Sequence, residues 1–272
     1  MFYYFGYGSN LSLASLRAKG VEPRESIRGR LCGWKLVFDV RHWYRHEGGV
    51  GNIRRTDHPE DRVEGLVHLC EDQHLALLDA MESYGVGYDR IEVDIETEAG
   101  LVRALTYVGL PAHISPACLP TRRYLNIVLQ GALAAGLQPS YIQRLRDQAV
   151  FVPRDYPPFE HPKEPVAWFD SVSLARHPEY TAIVGAVFDM TQARPQLHCV
   201  KELFGGKDIT MFHLRRLDTS DGRDSLAEFK QGRLSEAARR YLNAYLHEFD
   251  FEYRYAGRYT YDLIPFTHQE PP

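Results

Sequence analysis

Apolar and polar positions in the first half of the chain fall into short strand-like and helix-like stretches. Phe2-Tyr3-Tyr4-Phe5 is an aromatic run that breaks at once in a glycine-rich turn, the pattern of a short buried strand. Leu36-Val37-Phe38 and Glu64-Gly65-Leu66-Val67-His68-Leu69 predict two further strands. Ile91-Glu92-Val93-Asp94-Ile95 alternates apolar and acidic residues, the period of a half-buried strand, and Arg103–Val108 alternates more weakly. Leu75 and Leu78 recur at helical spacing within 72–83. Thr121 is placed to cap a helix carrying Leu125, Val128, Leu129 and Leu133, with Gly136 to stop it, and a further helix is predicted over 139–147. Strands outnumber helices without a regular βαβ repeat. The expected class is therefore α+β, with a small, partly closed mixed sheet in the first half.

Five prolines between Phe151 and Pro165 forbid regular structure and predict a stiff connector. The expected domains are 1–150 and 166–264, joined by 151–165 and followed by a disordered tail at 265–272. In the second half Ile183–Phe188 reads as a hairpin or buried strand. Ser235 caps an amphipathic helix with Ala238, Tyr241, Leu242, Tyr245, Leu246 and Phe249 on one face.

Composition narrows the class. The 272 residues are 44% apolar and 25% charged, ordinary for a globular protein, and a net charge of -4 argues against a nucleic-acid-binding face. Cys32, Cys70, Cys118 and Cys199 are far apart with no CxxC pair, which predicts reduced thiols rather than a disulfide scaffold or zinc finger. No signal peptide or membrane span is apparent, so the expected setting is the cytoplasm. Oligomeric state is not legible.

Two features could carry chemistry. In Tyr7-Gly8-Ser9-Asn10-Leu11 a strand ends in glycine and small polar residues, which lets backbone N–H groups approach a carboxylate or phosphate. The plain alternative is a turn with a helix cap. Glu82 follows Leu75 and Leu78 at i+7 and i+4, so it points to their side of the helix. An inward carboxylate is costly unless paired or functional, and burial would suit it to moving protons near neutral pH. The plain alternative is a helix-end carboxylate with its head in solvent. His42, His46, His58, His68 and His74 lie on different expected elements without ligand spacing and read as scattered surface or pocket residues.

From about residue 3 to about residue 147 the chain resembles the γ-glutamyl cyclotransferase family. The resemblance is carried, in the family's order, by Tyr4–Leu11, by Gly29-Arg30-Leu31 with Trp34-Lys35-Leu36, and by Gly48–Ile53. It continues through Leu78–Glu82, Tyr88 and Arg90, and Ser115 with Tyr124–Ile127 and Gly131-Ala132. It implies an enzyme that closes a γ-glutamyl group to 5-oxoproline and releases an amine or amino acid, without metal or cofactor. It gives Glu82 the proton transfers, and makes Tyr7, Gly8, Ser9, Asn10, Leu11, Tyr88 and Tyr124 the substrate-binding set. Ser83 stands where the family more often has glycine. The leaving group is not specified by the resemblance.

In the second half, Val187–Thr191, Leu203–Thr210 and Leu234–Tyr259 resemble the haem/steroid-binding domain of membrane-associated progesterone receptors, relatives of the small b-type cytochromes. A small α+β domain is implied. The axial His-Pro-Gly-Gly motif is not plainly present, and the place of the relatives' tyrosine holds Lys201. His198, Cys199 and His213 are the nearby candidates for haem iron, and the plain alternative is a docking module without cofactor. Two readings stand beside the enzyme: a non-catalytic small-molecule binding module, and a haem-linked regulator.

Overall fold

A computed structural model describes residues 1–58, 60–163 and 167–261. The expected tail at 265–272, the end of the connector at 164–165, and residues 166 and 262–264 of the expected second domain lie outside them.

Strand β1 (Phe2–Gly6) leaves Tyr3 exposed but buries its second half, Tyr4 to Gly6, on both faces. Phe5 and then Tyr7 enter one core with Leu31, Val67, Val93 and Ile95, while Tyr4 faces Leu16, Cys70, Leu78 and Tyr107. That two-sided burial is why its sequence is a run of aromatics rather than an alternation. Phe5 is wholly excluded from solvent, a burial that stabilises by about 1.5–3 kcal/mol. Around β1 the strands β2 (Glu25–Cys32), β5 (Arg62–Cys70), β6 (Tyr88–Thr97) and β7 (Gly100–Gly109) form a closed barrel in the order β1-β5-β2-β6-β7. Closure comes from a parallel contact of Tyr4 with Leu105, so the sheet is fully closed rather than partly closed as expected. The alternation in β6 places Ile91, Val93 and Ile95 in the barrel core and leaves Glu92 and Asp94 outside, where both meet Arg103. A separate hairpin of β3 (Trp34–Arg41) and β4 (Gly49–Arg55) completes the strands of this part.

Four helices accompany the barrel: α1 (Leu13–Ala18), α2 (Gln73–Met81), α3 (Arg122–Ala134) and α4 (Pro139–Arg146). The Ser12 hydroxyl accepts from Ser15 N–H at the start of α1, and the Thr121 hydroxyl accepts from Tyr124 N–H at the start of α3. Gly136, at φ 62°, lies just past the end of α3, as its position implied.

The chain divides into two units, 1–155 with 212–224, and 156–211 with 225–272. This departs from the expected boundary at 166–264, because a segment of the second half is built into the first unit. Arg17 Nη1 donates to the Asp221 carbonyl (3.0 Å) and Arg123 Nη1 to the Arg216 carbonyl (2.9 Å). Asn126 Nδ2 donates to Asp218 Oδ2 (2.7 Å), and Gln130 Nε2 donates to the Asp218 carbonyl (2.9 Å).

The second unit holds a five-stranded sheet of β8 (Ala167–Phe169), β9 (Tyr180–Ile183), β10 (Ala186–Asp189), β11 (Lys207–Asp208) and β12 (Arg254–Tyr259), ordered β11-β9-β10-β12-β8. The expected hairpin is β9–β10, turned by Val184 and Gly185 at φ 50° and 79°. Short helices α5 (Ser171–Leu174), α6 (His198–Phe204) and α8 (Leu226–Lys230) precede the long α9 (Glu236–Glu252), and α7 (Thr210–Leu214) runs across the division into the first unit. α9 is capped by Ser235 and buries Leu242, Tyr245, Leu246 and Phe249. Part of the proline-rich connector docks on α9. Asn243 Oδ1 accepts from Phe159 N–H (2.8 Å) and Asn243 Nδ2 donates to the Pro157 carbonyl (2.8 Å). Backbone groups freed by proline thus find side-chain partners.

Candidate active site

The loop after β1 and the end of α2 meet in the first unit. Gly8 leads into a single turn, Ser9–Leu11, in which Leu11 N–H returns to the Gly8 carbonyl (3.0 Å). Asn10 and Leu11 are buried. Asn10 Nδ2 donates to Tyr4 Oη (2.6 Å) and to Glu82 Oε1 (3.0 Å), tying the loop to the helix end 72 residues later. The N–H groups of Gly8 and Asn10 find no acceptor among the described residues. Gly8, Ser9 and Asn10 thus present backbone and small polar groups, while Leu11 packs into the core with Tyr124, Leu125 and Val128.

Glu82 closes α2 as its C-cap residue, and its side chain is 17% exposed. The helix ends in a Schellman motif: Ser83 N–H bonds the Ala80 carbonyl (3.2 Å) and Tyr84 N–H the Asp79 carbonyl (2.9 Å). Ser83 takes the left-handed position of that motif at φ 51°, which is the physical reason glycine is favoured there. The helix end is fastened by Asp79, whose Oδ1 accepts from Tyr107 Oη (2.6 Å) and whose Oδ2 pairs with Arg90. The carboxylate of Glu82 therefore has a fixed base. Its Oε1 is occupied by Asn10 and by Lys19 Nζ (3.3 Å), and its Oε2 has no partner among the described residues.

Lys19 was not foreseen. It lies just past α1, and its side chain is 5% exposed. Its ammonium also donates to Asn10 Oδ1 (2.5 Å). Burial pushes its pKa below the usual lysine range, while the nearby Glu82 carboxylate works the other way. The sequence signals only a lysine after a short helix. Nothing local tells that its side chain turns inward to a carboxylate 63 residues away.

Gly51 is pinched between two of the expected binding residues. Its carbonyl accepts from Tyr88 Oη (2.7 Å) and its N–H donates to Tyr124 Oη (3.0 Å). A Cβ at Gly51 would stand 3.0 Å from Tyr124 Oη and 3.5 Å from Gly8 Cα, so glycine is what lets β4 come up to the loop. Tyr7 donates to the Tyr107 carbonyl (2.7 Å). Burial raises the phenols of Tyr4, Tyr7, Tyr88 and Tyr124, and the charge of Glu82 adds to each. All four are held as neutral hydroxyls around one carboxylate. The structure thus brings Tyr7, Gly8, Ser9, Asn10, Glu82, Tyr88 and Tyr124 to one place.

His68, expected to be one of several scattered histidines, is a buried brace for the loop. Its Nε2 bonds the Asn10 carbonyl (3.0 Å), which fixes that nitrogen as the donor and leaves Nδ1 to accept from Ser26 Oγ (2.7 Å). Burial lowers its pKa from 6.5 to about 4. The folded protein then binds fewer protons than the unfolded chain between pH 6.5 and 4. This contribution to stability is complete above pH 6.5 and is lost as pH falls to about 4, on the order of 3 kcal/mol. His42, also lowered to about 4, adds in the same sense, whereas Asp208 of the second unit, raised to about 6, opposes it. Thermal melts from pH 7 to pH 4 are expected to fall less steeply for His68→Gln than for the wild type. Parallel curves would mean that neutral His68 is not a source of the acid lability.

The three haem candidates fall in two different units. His198 is exposed at the start of α6, and Cys199 Sγ donates to the Gln196 carbonyl (3.4 Å). His213 belongs to the first unit and is buried there. No group of three or more His, Cys, Asp or Glu suited to a metal occurs among the described residues, and no described helix is long and apolar enough to cross a membrane.

Comparison with known proteins bears on the first unit. Residues 62–145 match the AIG2-like family, a span that holds Glu82, Tyr88 and Tyr124 but not the 7–11 loop or Lys19. The chain is 26% identical over 164 residues to the γ-glutamyl cyclotransferase aclK of Aspergillus oryzae, covering 53% of this chain and 60% of that protein. It thus spans less than two thirds of that relative's length. A solved γ-glutamyl cyclotransferase is similar at 27% identity with a TM-score of 0.49, over 57% of this chain and 90% of that one. A yeast γ-glutamyl cyclotransferase specific to glutathione is 14% identical with a TM-score of 0.43, over 54% and 94% of the two chains. Residues 62–145 are therefore AIG2-like, and the chain is similar in sequence to a γ-glutamyl cyclotransferase.

Proposed function

We propose that the first unit cyclises a γ-glutamyl group to 5-oxoproline, with Glu82 carrying the protons. The observation that carries this reading is the asymmetric setting of the carboxylate, with Oε1 fixed by Asn10 and Lys19 and Oε2 left open among neutral tyrosines. The substrate's α-ammonium loses a proton to Oε2, and the amine attacks the γ-carbonyl carbon. A C–N bond closes the five-membered ring. As the amide C–N bond breaks, Glu82 passes that proton to the departing nitrogen; the ring nitrogen then gives up its second proton through the regenerated carboxylate to the released amine, which leaves as its ammonium. Attack is intramolecular, so holding the chain folded back supplies much of the acceleration. The N–H groups of Gly8 and Asn10 are suited to a carboxylate or to the developing oxyanion.

The test is 5-oxoproline release, followed by mass spectrometry, from γ-glutamyl amino acids, peptides and amines. Release from at least one compound is expected, and none from any would turn the reading to a binding module. The loop has its own test. A Cβ at Gly8 would stand 3.0 Å from Tyr124 Oη, so Gly8→Val must push that ring from Gly51. Substrate affinity is expected to fall about tenfold, within the roughly 1–3 kcal/mol cost of overpacking. Unchanged affinity by calorimetry would take the loop out of the binding site.

A further inference from the structure

Segment 212–224 comes from the second half of the sequence and is built into the first unit, across the two helices that frame the site. The Arg216 carbonyl is bonded by Arg123, the neighbour of Tyr124, and the Asp221 carbonyl by Arg17, two residues before Lys19. Gly222 lies so close to α1 that a Cβ there would stand 2.9 Å from the Ala14 carbonyl oxygen. These anchors fix the backbone beside the site and leave the Arg216 side chain to lie over the Phe212 ring, 4.8 Å from its centre. The guanidinium acts on the site electrostatically: after burial, it is among the causes that push Lys19 and His42 down.

Two of the nearby charges of the site are matched. Glu82 pairs with Lys19, and buried Glu47 pairs with Arg123. Arg216 is half-buried, and no carboxylate among the described residues pairs with it. A half-buried cation without a counter-ion, set on an aromatic ring beside a site for amino-acid derivatives, is a ready receptor for an anion, and its planar fork matches a carboxylate.

We propose that Arg216 binds a carboxylate on the departing amine, so that the substrates are γ-glutamyl amino acids or peptides rather than γ-glutamyl amines. This rests on the cyclisation reading and adds the leaving group to it. The specificity residue would then come from outside the segment that resembles the known enzymes.

γ-Glutamyl-alanine and γ-glutamyl-ethylamide differ only in the leaving-group carboxylate. Wild type should favour the dipeptide in kcat/KM. Arg216→Gln, which keeps the backbone bond to Arg123, should lower that preference about 10- to 100-fold, the worth of a charge-assisted hydrogen bond. Arg216→Lys should retain part of it. An unchanged ratio, or equal losses on both compounds, would overturn the proposal. If wild type cyclises neither of these nor any other compound of the γ-glutamyl panel, the cyclisation reading fails by itself. Calorimetric binding of both compounds to full-length wild type and Arg216→Gln then decides the role of Arg216. Selective weakening of the dipeptide would keep it, and no selective weakening would overturn it.

Discussion

Glu82→Gln is expected to release 5-oxoproline about 10²- to 10⁴-fold more slowly than the wild type, the range set by losing a positioned proton carrier. The substitution keeps the shape of the side chain. The amide oxygen can still accept from Asn10 and Lys19 at the place of Oε1, while the other position becomes an N–H₂ group that cannot take a proton. The α-ammonium of the substrate then has no acceptor, and the loss should fall on kcat more than on KM. Lys19 loses its counter-charge, but burial already lowers its pKa, so the chain can shed that proton instead of unfolding. Mass-spectrometric rates, beside circular dichroism to check folding, make the comparison. A folded variant within threefold of the wild-type rate would remove Glu82 as the proton carrier.

Lys19→Met should act mainly on stability. Both members of the pair are largely buried, with side chains 5% and 17% exposed. Removing the lysine leaves the Glu82 carboxylate without its cation, a change that costs about 3–5 kcal/mol for a buried pair. The Lys19→Met/Glu82→Gln double variant removes the stranded charge and should regain a large part of that loss. Urea unfolding of the wild type, both single variants and the double variant gives the coupling directly. Additive effects would mean that the two groups do not depend on each other. The same pair bears on mechanism, because Lys19 holds Oε1 and thereby aims Oε2. Any activity that Lys19→Met keeps should show a lowered kcat.

Much of this site was legible along the chain. Tyr7–Leu11 could be read as a cradle because glycine and small polar residues after a strand are a local signal. Glu82 could be read as inward because helical periodicity carries direction over two turns. The partners of these residues were not legible. Lys19, Gly51 and His68 reach the site through contacts tens of residues away in sequence, and a lysine, a glycine and a histidine have no periodic signature of their own. The haem reading of the second half rests on a family resemblance, with His198, Cys199 and His213 as its candidate ligands. His198 and Cys199 fall in the second unit and His213 in the first.

The sequence by itself determined the elements: strands from alternation and aromatic runs, helices from their caps at Thr121 and Ser235, and a glycine-rich loop and an inward carboxylate as candidate features. These are properties of a few adjacent residues, set by backbone sterics and hydrogen-bonding needs. The tertiary structure alone decided that the barrel closes through Tyr4 and Leu105, and that one oxygen of Glu82 is held by Lys19 while the other stays open. It also decided that a piece of the second half, with Arg216, is built into the first unit. Each of these depends on which distant surfaces bury one another, and burial is a property of the whole fold.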